Sequence, residues 1–428
     1  MKSELIKIAG SGSYFPREVT LLAGTDRPTS DVLEPFSAQA LAFLDDFSRA
    51  LRRDRGARQD AEAMALAFWC RRTHMLALKD RYCAAPGRTG RGKIFHLAPA
   101  NVPMMFVYTW AIGLLAGNAG IVRISERTLQ REAVQNVLRI FRELFLQEEN
   151  AAIRERTSLI SYDRSDAVTE QILADCSGRV LWGGDETILH MQQIPMPENA
   201  VELTFPDRVS LAVISEEALE KADRETLRNL VHRFYNDTYV MDQNGCSSPQ
   251  TVIWLKKTAS INMASPPGDS LSDAADEQSE TGTIRGKWWR MLAQEAEREY
   301  GMDGFRAARK LEKAALSAMQ TDKIVSIRRF CGNELFVLRL AGLPEDLAAY
   351  KGGFGLFFET EAEDMTQIFP SFSDRIQTVV CIGIDPFEQA AAAAQQKAAG
   401  ALRFVEAGQA LQMDTVWDGI DLINALSR

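Results

Sequence analysis

Hydrophobic and polar positions divide the chain into regions of different rhythm. About the first 35 residues are short apolar runs broken by Gly, Pro, Ser and Thr, which predicts brief strands and turns. Leu41, Leu44, Phe47 and Leu51 then recur on one face of a helix, and a second helical stretch runs from about Asp60 to Lys79. From residue 93 the pattern becomes an alternation of strands and helices. Apolar runs at Lys93–Leu97, 121–124, 159–162, 180–182 and 209–214 read as buried strands, with helices at 105–116, 131–147 and 166–174 between them. Gly117-Asn118 is a stop signal for the first of these helices. Such alternation predicts an α/β fold built on a parallel sheet covered on both faces, an architecture that binds dinucleotides at the carboxyl ends of its strands.

A helix at 217–235 leads to a short loop and then to Thr251-Val252-Ile253-Trp254-Leu255, a buried strand by composition. Residues 258–283, rich in Pro, Gly, Ser, Asp and Glu, read as a polar, flexible insert. A long helical region follows, opening at Trp288-Trp289, two side chains suited to core or interface packing, and ending near Met319. Strands at 335–340, 355–358 and 377–384 and a helix around Ala390 to Ala394 make a second α/β unit.

Composition narrows the function classes. The 428 residues are 46% hydrophobic and 25% charged with a net charge of −9 and no basic block, which argues against nucleic acid or an anionic membrane surface as partner. The arginines around Arg49 to Arg55 are interleaved with acids, a solvated helix face. Six cysteines without Cys-x-x-Cys spacing and only four histidines leave no disulfide scaffold and no zinc site. The N-terminus has no signal-peptide run, and the longest apolar stretch, 102–116, is too short for a membrane span. The expectation is a reducing, cytoplasmic setting.

Two phosphate-binding signatures fail on inspection. Gly87-Arg88-Thr89-Gly90-Arg91-Gly92-Lys93 has P-loop spacing, but Ile94 stands where a magnesium-binding hydroxyl belongs and a strand follows instead of a helix. Gly10-Ser11-Gly12 lacks a third glycine. Stronger chemistry lies in Asp242-Gln243-Asn244-Gly245-Cys246-Ser247-Ser248-Pro249-Gln250. There a thiol is bracketed by small and polar residues, open to a substrate carbonyl as nucleophile or else an ordinary loop cysteine. Pro99-Ala100-Asn101-Val102-Pro103 ends the first strand of the alternation. The Asn101 amide can serve as an oxyanion donor or simply satisfy its own turn. After the second strand, Arg123, Ser125 and Glu126 stand where a dinucleotide fold faces the adenosine ribose; the arginine suits a 2′-phosphate, the carboxylate a free hydroxyl. After the fourth, Gly183, Gly184 and Asp185 open a helix where a pyrophosphate can approach closely.

In this order, His96-Leu97-Ala98-Pro99-Ala100-Asn101-Val102-Pro103, Val122-Arg123-Ile124-Ser125-Glu126, Trp182-Gly183-Gly184-Asp185 and the glycine-flanked Cys246 resemble the aldehyde dehydrogenase superfamily. With Gly408-Gln409-Ala410-Leu411 and Trp417-Asp418-Gly419-Ile420-Asp421-Leu422, the chain from about residue 90 onward resembles the long-chain fatty acyl-CoA reductase family of the bacterial bioluminescence system. The resemblance implies an aldehyde dehydrogenase-like fold in which residues 1–215 form N-terminal helices and a dinucleotide-binding domain. Residues 216–400 would form an α/β catalytic domain presenting a cysteine nucleophile, and 401–428 would pack back on the core or a neighbouring subunit. It implies that Cys246 takes an acyl group from acyl-CoA or an acyl-protein, that NADPH reduces the acyl-enzyme to an aldehyde, and that Asn101 with the Cys246 N–H holds the oxyanion.

Pro99, Arg123, Ser125, Glu126, Gly183, Gly184, Asp185 and, by likeness to a Glu-x-Phe motif, Glu334 and Phe336 would bind the cofactor, NADP(H). An acyl-protein synthetase as partner and a homo-oligomer are further implications. Hydrolytic relatives carry a water-activating glutamate where Thr204 stands in Thr204-Phe205-Pro206-Asp207-Arg208, a departure that suits a reductase. It leaves the proton donor open, with His232 the nearest candidate, though it lies in a helical run. The alternatives are a dehydrogenase running toward acyl-CoA or acid, and a non-catalytic subunit of an acyl-transfer complex.

Overall fold

The structure, a computed structural model, describes residues 6–7, 14–82, 87–256, 282–400 and 403–428. Gly10-Ser11-Gly12, Cys83 and all but the last two residues of the expected insert 258–283 lie outside the described residues. The chain divides into two compact units, residues 1–207 with 413–428, and residues 208–412.

The first unit holds a seven-stranded sheet of β1 (Ile6–Lys7), β2 (Thr20–Gly24), β3 (Lys93–Leu97), β4 (Ala119–Arg123), β5 (Thr157–Ser161), β6 (Gly178–Trp182) and β7 (Val201–Phe205). Its order is β1-β2-β5-β4-β3-β6-β7. β3 to β7 are parallel and β1 and β2 complete one edge antiparallel. The parallel part therefore runs outward both ways from β3, which puts a topological switch point between β3 and β6. β3, β5 and β6 are buried at every residue, as apolar strands covered on both faces must be.

Helix Ala38–Arg53 buries Leu41, Leu44, Phe47 and Leu51 as their spacing requires, and Ser37 caps it by accepting the Ala40 N–H at 3.3 Å. The second stretch is two helices, Ala61–Trp69 and Arg72–Tyr82. Helix Met105–Leu115 is apolar all round and enclosed all round, a core helix and not a membrane one. Gly117, at φ +91°, ends that segment where a Cβ would lie 2.1 Å from the Leu33 carbonyl oxygen, so only glycine fits.

The fifth parallel strand of this sheet is β7, and the run at 209–214, expected to be the fifth, opens the second unit. β7 was missed because it is an edge strand whose residues are mostly half-buried, leaving a weak apolar signal. Residues 413–428 return to the first unit. Tyr108 donates to the Asp414 carbonyl (2.5 Å), Asn118 to that of Leu426 (2.9 Å), and Thr89 and Arg428 exchange backbone hydrogen bonds. The P-loop-like segment serves this docking, and Lys93 pairs with Asp175 at 2.5 Å.

The second unit carries β8 (Val209–Ser215), β9 (Pro249–Leu255), β10 (Ile324–Phe330), β11 (Leu335–Leu340), β12 (Leu356–Ala362), β13 (Ile376–Ile382) and β14 (Arg403–Glu406). The order is β10-β11-β12-β9-β8-β13-β14, parallel except for the β10–β11 pair. The stretch expected as one helix at 217–235 is Glu216–Lys221 and Arg224–Thr238, and the long region after the insert is Ile284–Glu299 and Gly304–Gln320, parted by Gly301. Trp288 and Trp289 are fully enclosed in the core.

Beneath them Glu359, 2% exposed, accepts from Trp254 Nε1 (3.1 Å) and Trp289 Nε1 (2.7 Å) on one oxygen and pairs with Arg328 through the other. A buried carboxylate is tolerated only when its lone pairs are filled in this way. Among the described residues no helix is long and apolar enough to cross a membrane, and no cluster of His, Cys, Asp or Glu could hold a metal ion.

Replacing Glu359 with Ala leaves two buried indole N–H groups without their acceptor and takes away the carboxylate that Arg328 pairs with. Urea unfolding followed by tryptophan fluorescence should show a loss of about 3–5 kcal/mol, and a loss below about 1 kcal/mol would mean that the network is not a structural keystone.

Candidate active site

Cys246 sits on a four-residue turn that leads straight into β9, closed by the Ser248 N–H donating to the Gly245 carbonyl at 3.0 Å. The turn lies at the amino edge of the second sheet, where β8, β9, β11, β12 and β13 all begin. It is fastened to β8, which pairs with β9, and to β13 on the far side of β8. Ser210, at the start of β8, donates its hydroxyl to the Cys246 carbonyl (2.7 Å) and accepts the Thr378 N–H of β13 (3.0 Å). Ser247 donates to Gln377 Oε1 at 2.8 Å.

The approach to the turn is strained. Asp242 and Gln243 stand consecutively in left-handed conformations, φ +53° and +58°, a backbone that non-glycine residues adopt only when the surroundings impose it. Here they do. Asp242 Oδ1 accepts from Tyr300 Oη (2.6 Å) and Arg306 Nε (2.9 Å), and its carbonyl accepts the Phe354 N–H (2.9 Å). Gln243, buried, donates to the Pro249 carbonyl (2.9 Å), accepts the Gly355 N–H (3.2 Å), and its own carbonyl takes a hydrogen bond from Gln250 Nε2 (2.8 Å). The cysteine is thus half-buried on a backbone whose every flank is held.

Three of the described thiols differ. Cys70, Cys176 and Cys381 are enclosed, and burial pushes Cys176 and Cys381 up to about 12, which leaves them inert at neutral pH.

Glu334 precedes β11 on the same amino edge. Its carbonyl accepts from Tyr239 Oη (3.0 Å), and a Cβ at Gly355, φ +82°, would press into that oxygen at 2.5 Å and into the tyrosine hydroxyl at 2.7 Å. Glu334 Oε2 is buried without a hydrogen-bond partner, and burial raises the carboxyl, opposed by Lys310. Lys310 is itself enclosed, bonded to the Asn333 carbonyl, and pushed down to about 8 by burial. Phe336 is 2% exposed, with Lys310 Nζ 4.9 Å and Arg329 Cζ 5.0 Å from its ring centre. His232 is an exposed helix residue paired with Glu295 at 2.9 Å.

In the first unit the remaining candidates gather at the carboxyl edge of the sheet, around its switch point. Pro99 and the exposed Asn101 lie on the loop between β3 and helix Met105–Leu115. One hydroxyl ties the ends of the two strands at that point. Thr109 Oγ1 accepts from Trp182 Nε1 (3.0 Å) and bonds His96 Nδ1 (2.8 Å), and burial pushes His96 down to about 3, so it stays neutral.

Arg123, at the end of β4, lies over the Tyr162 ring (4.6 Å) and donates Nη2 to the Tyr162 carbonyl (3.1 Å), leaving its Nε without a partner. Ser125 caps helix Glu126–Leu129 by accepting the Thr128 N–H at 3.2 Å, and Glu126 is exposed beside it. Gly183 and Gly184 precede helix Asp185–Gln192. A Cβ at Gly184 would meet nothing within 4 Å and one at Gly183 would come no closer than 3.7 Å to Thr187, so the backbone there is open to close approach. An open glycine turn at a helix N-terminus, on the same sheet edge as the Arg123 guanidinium two strands away, fits a dinucleotide. Thr204 lies in β7, and Phe205 stacks on Trp182 at 4.0 Å.

Sequence reading missed the groups that hold the cysteine turn, Ser210 and Gln377. Both come from strands distant along the chain, and nothing local marks a strand hydroxyl or amide as a fastening for a loop.

Comparison with known proteins fits this geometry. The sequence matches the LuxC acyl-CoA reductase family over residues 45–265. No curated protein matches it. Among solved structures, an NAD-dependent benzaldehyde dehydrogenase from Corynebacterium glutamicum is similar at TM-score 0.55 and 12% identity, covering 92% of this chain and 84% of that one. An oxidoreductase from Marinobacter aquaeolei is similar at TM-score 0.59 and 12% identity, with 93% and 86% covered. Proline utilization A from Bdellovibrio bacteriovorus is similar at TM-score 0.58 and 14% identity over 92% of this chain, which spans only 43% of that larger protein. At such identities the likeness speaks for fold, and the fold is that of the aldehyde dehydrogenases, as expected. The family match spans just over half of the chain, and the chain belongs to the LuxC acyl-CoA reductase family.

Proposed function

We propose that this protein reduces an acyl thioester, carried by coenzyme A or by an acyl-protein, to an aldehyde through an acyl group held on Cys246. The observation that carries the reading is the cysteine turn itself: the half-buried thiol whose backbone is fastened on every side, in a chain of an acyl-CoA reductase family. The Cys246 thiolate adds to the acyl carbonyl carbon, the tetrahedral oxyanion collapses with loss of the old carbon–sulfur bond, and the carrier leaves as a thiolate that takes up a proton. Ser210 and Gln377 keep the turn from yielding as the sulfur changes partner, since a misplacement of about 1 Å can reduce the rate by roughly a hundredfold. Asn101, on the loop after β3, keeps the role of oxyanion donor that the family resemblance gives it.

A bound nicotinamide dinucleotide supplies the reducing equivalents. Gly183, Gly184 and the N-terminus of helix Asp185–Gln192 would hold its pyrophosphate, and Arg123 the adenosine ribose, with NADPH favoured because a guanidinium charge suits a 2′-phosphate. Thr204 in place of a carboxylate spares the acyl-enzyme from water, which supports reduction over hydrolytic oxidation.

Incubation with radiolabelled acyl-CoA of several chain lengths should leave label on the wild type and none on Cys246→Ala. NADPH should discharge the label as aldehyde, and turnover of the variant should fall by several orders of magnitude. Label on the variant, or on neither protein even when an acyl-protein synthetase supplies the donor, would sink the reading. Arg123→Ala should raise the KM for NADPH about 10- to 100-fold and leave that for NADH within about twofold. Equal effects on the two cofactors would assign Arg123 to Tyr162 alone.

A further inference from the structure

One buried carboxylate close to the cysteine turn has no part in the chemistry above. Asp237, in the last turn of helix Arg224–Thr238, is 1% exposed. Its two oxygens accept the backbone N–H groups of Gly408 (2.6 Å) and Ala410 (2.9 Å). From the other side Arg403, on β14, donates to the carbonyls of Gln409 (3.0 Å) and Ala410 (3.5 Å). The segment 408–410 is therefore gripped on its N–H groups by an anion and on its carbonyls by a cation. Gly408, at φ +86°, permits the bend, and Ala410 is fully enclosed.

The next residue, Leu411, meets the cysteine turn. A Cβ built on Gly245 would lie 3.4 Å from Leu411 Cδ2, 3.6 Å from Met241 Sδ and 3.2 Å from Ser248 Oγ. Gly245 is the neighbour of Cys246, and its carbonyl closes the turn. A line of neighbours thus runs from Asp237 through 408–410 and Leu411 to Gly245, the residue before the thiol. The arrangement is an expensive way to fix a surface segment, because burial pushes Asp237 up to about 7 in spite of the two N–H bonds and Arg403. Apolar packing would hold the segment without that penalty, but would not set its register along the chain, which two directional hydrogen bonds to a single carboxylate do.

We propose that Asp237 is a positioning residue for the reaction at Cys246: by fixing Gly408 and Ala410 it sets Leu411 against Gly245 and so holds the thiol-bearing turn in place. The proposal rests on Cys246 being the nucleophile, and its test separates the two ideas.

Single-turnover acylation by labelled acyl-CoA and alkylation of Cys246 by iodoacetamide, read by mass spectrometry, would be compared in wild type, Asp237→Asn, Leu411→Ala and Leu411→Met. Acylation should slow about tenfold or more in Asp237→Asn and Leu411→Ala with half-saturation unchanged, and Leu411→Met should restore most of it. The alkylation rate should shift about fivefold or more in the first two variants. Alkylation needs no acyl donor, so it decides the matter even if the wild type takes no acyl group. Wild-type rates in folded Leu411→Ala would overturn the proposal, and that variant serves if Asp237→Asn fails to fold.

Discussion

A parallel sheet covered on both faces leaves only its two ends for chemistry. Each unit of this protein obeys that constraint, and their candidate groups lie at opposite ends. In the first, the loops after β3, β4 and β6 place Asn101, Arg123 and the Gly183-Gly184 turn at the carboxyl edge, where parallel strands ordinarily receive ligands. In the second, Cys246 and Glu334 stand at the amino edge, ahead of β9 and β11. Loops on that edge enter strands rather than leave them, so the cysteine turn depends on side chains for its shape. Asp242, Gln243, Ser210 and Gln377 hold what in the first unit the βα geometry provides.

Buried polar groups carry much of this construction. Thr109 joins His96 to Trp182, Glu359 joins two indoles to Arg328, and Asp237 joins a helix end to the chain beyond β14. Each is satisfied by several partners and each fixes register, which apolar contacts alone leave loose.

Much of the fold was legible because the decisive strands are buried on both faces and read as unbroken apolar runs. β3, β6 and β9 are of this kind, and so the strand–helix order and the place of the cysteine loop came directly from the residues. Strands with one wet face were not legible. β7 and β10 alternate or lie at an edge, and the division between the units was accordingly expected at residue 215, eight residues beyond where β8 leaves the first sheet for the second. The candidate site was legible in the residues that compose it and not in their support. Cys246, Asn101 and the glycine turn stand out by composition, whereas Asp237 looks like any acid on an amphipathic helix until the fold buries it.

The order of these supports along the chain has a further consequence. Gly355, Gln377 and Leu411, which bear on the cysteine turn, are all translated long after Cys246 itself. A nascent chain that has emerged only as far as β9 carries the thiol with Ser210, Pro249 and Gln250 but without Tyr300, Arg306, Phe354 and Gly355, so the left-handed pair Asp242–Gln243 lacks much of what imposes it. The geometry that makes this cysteine different from the other thiols therefore arises late, when the second sheet closes around it, and an incomplete chain holds an ordinary cysteine on a slack loop.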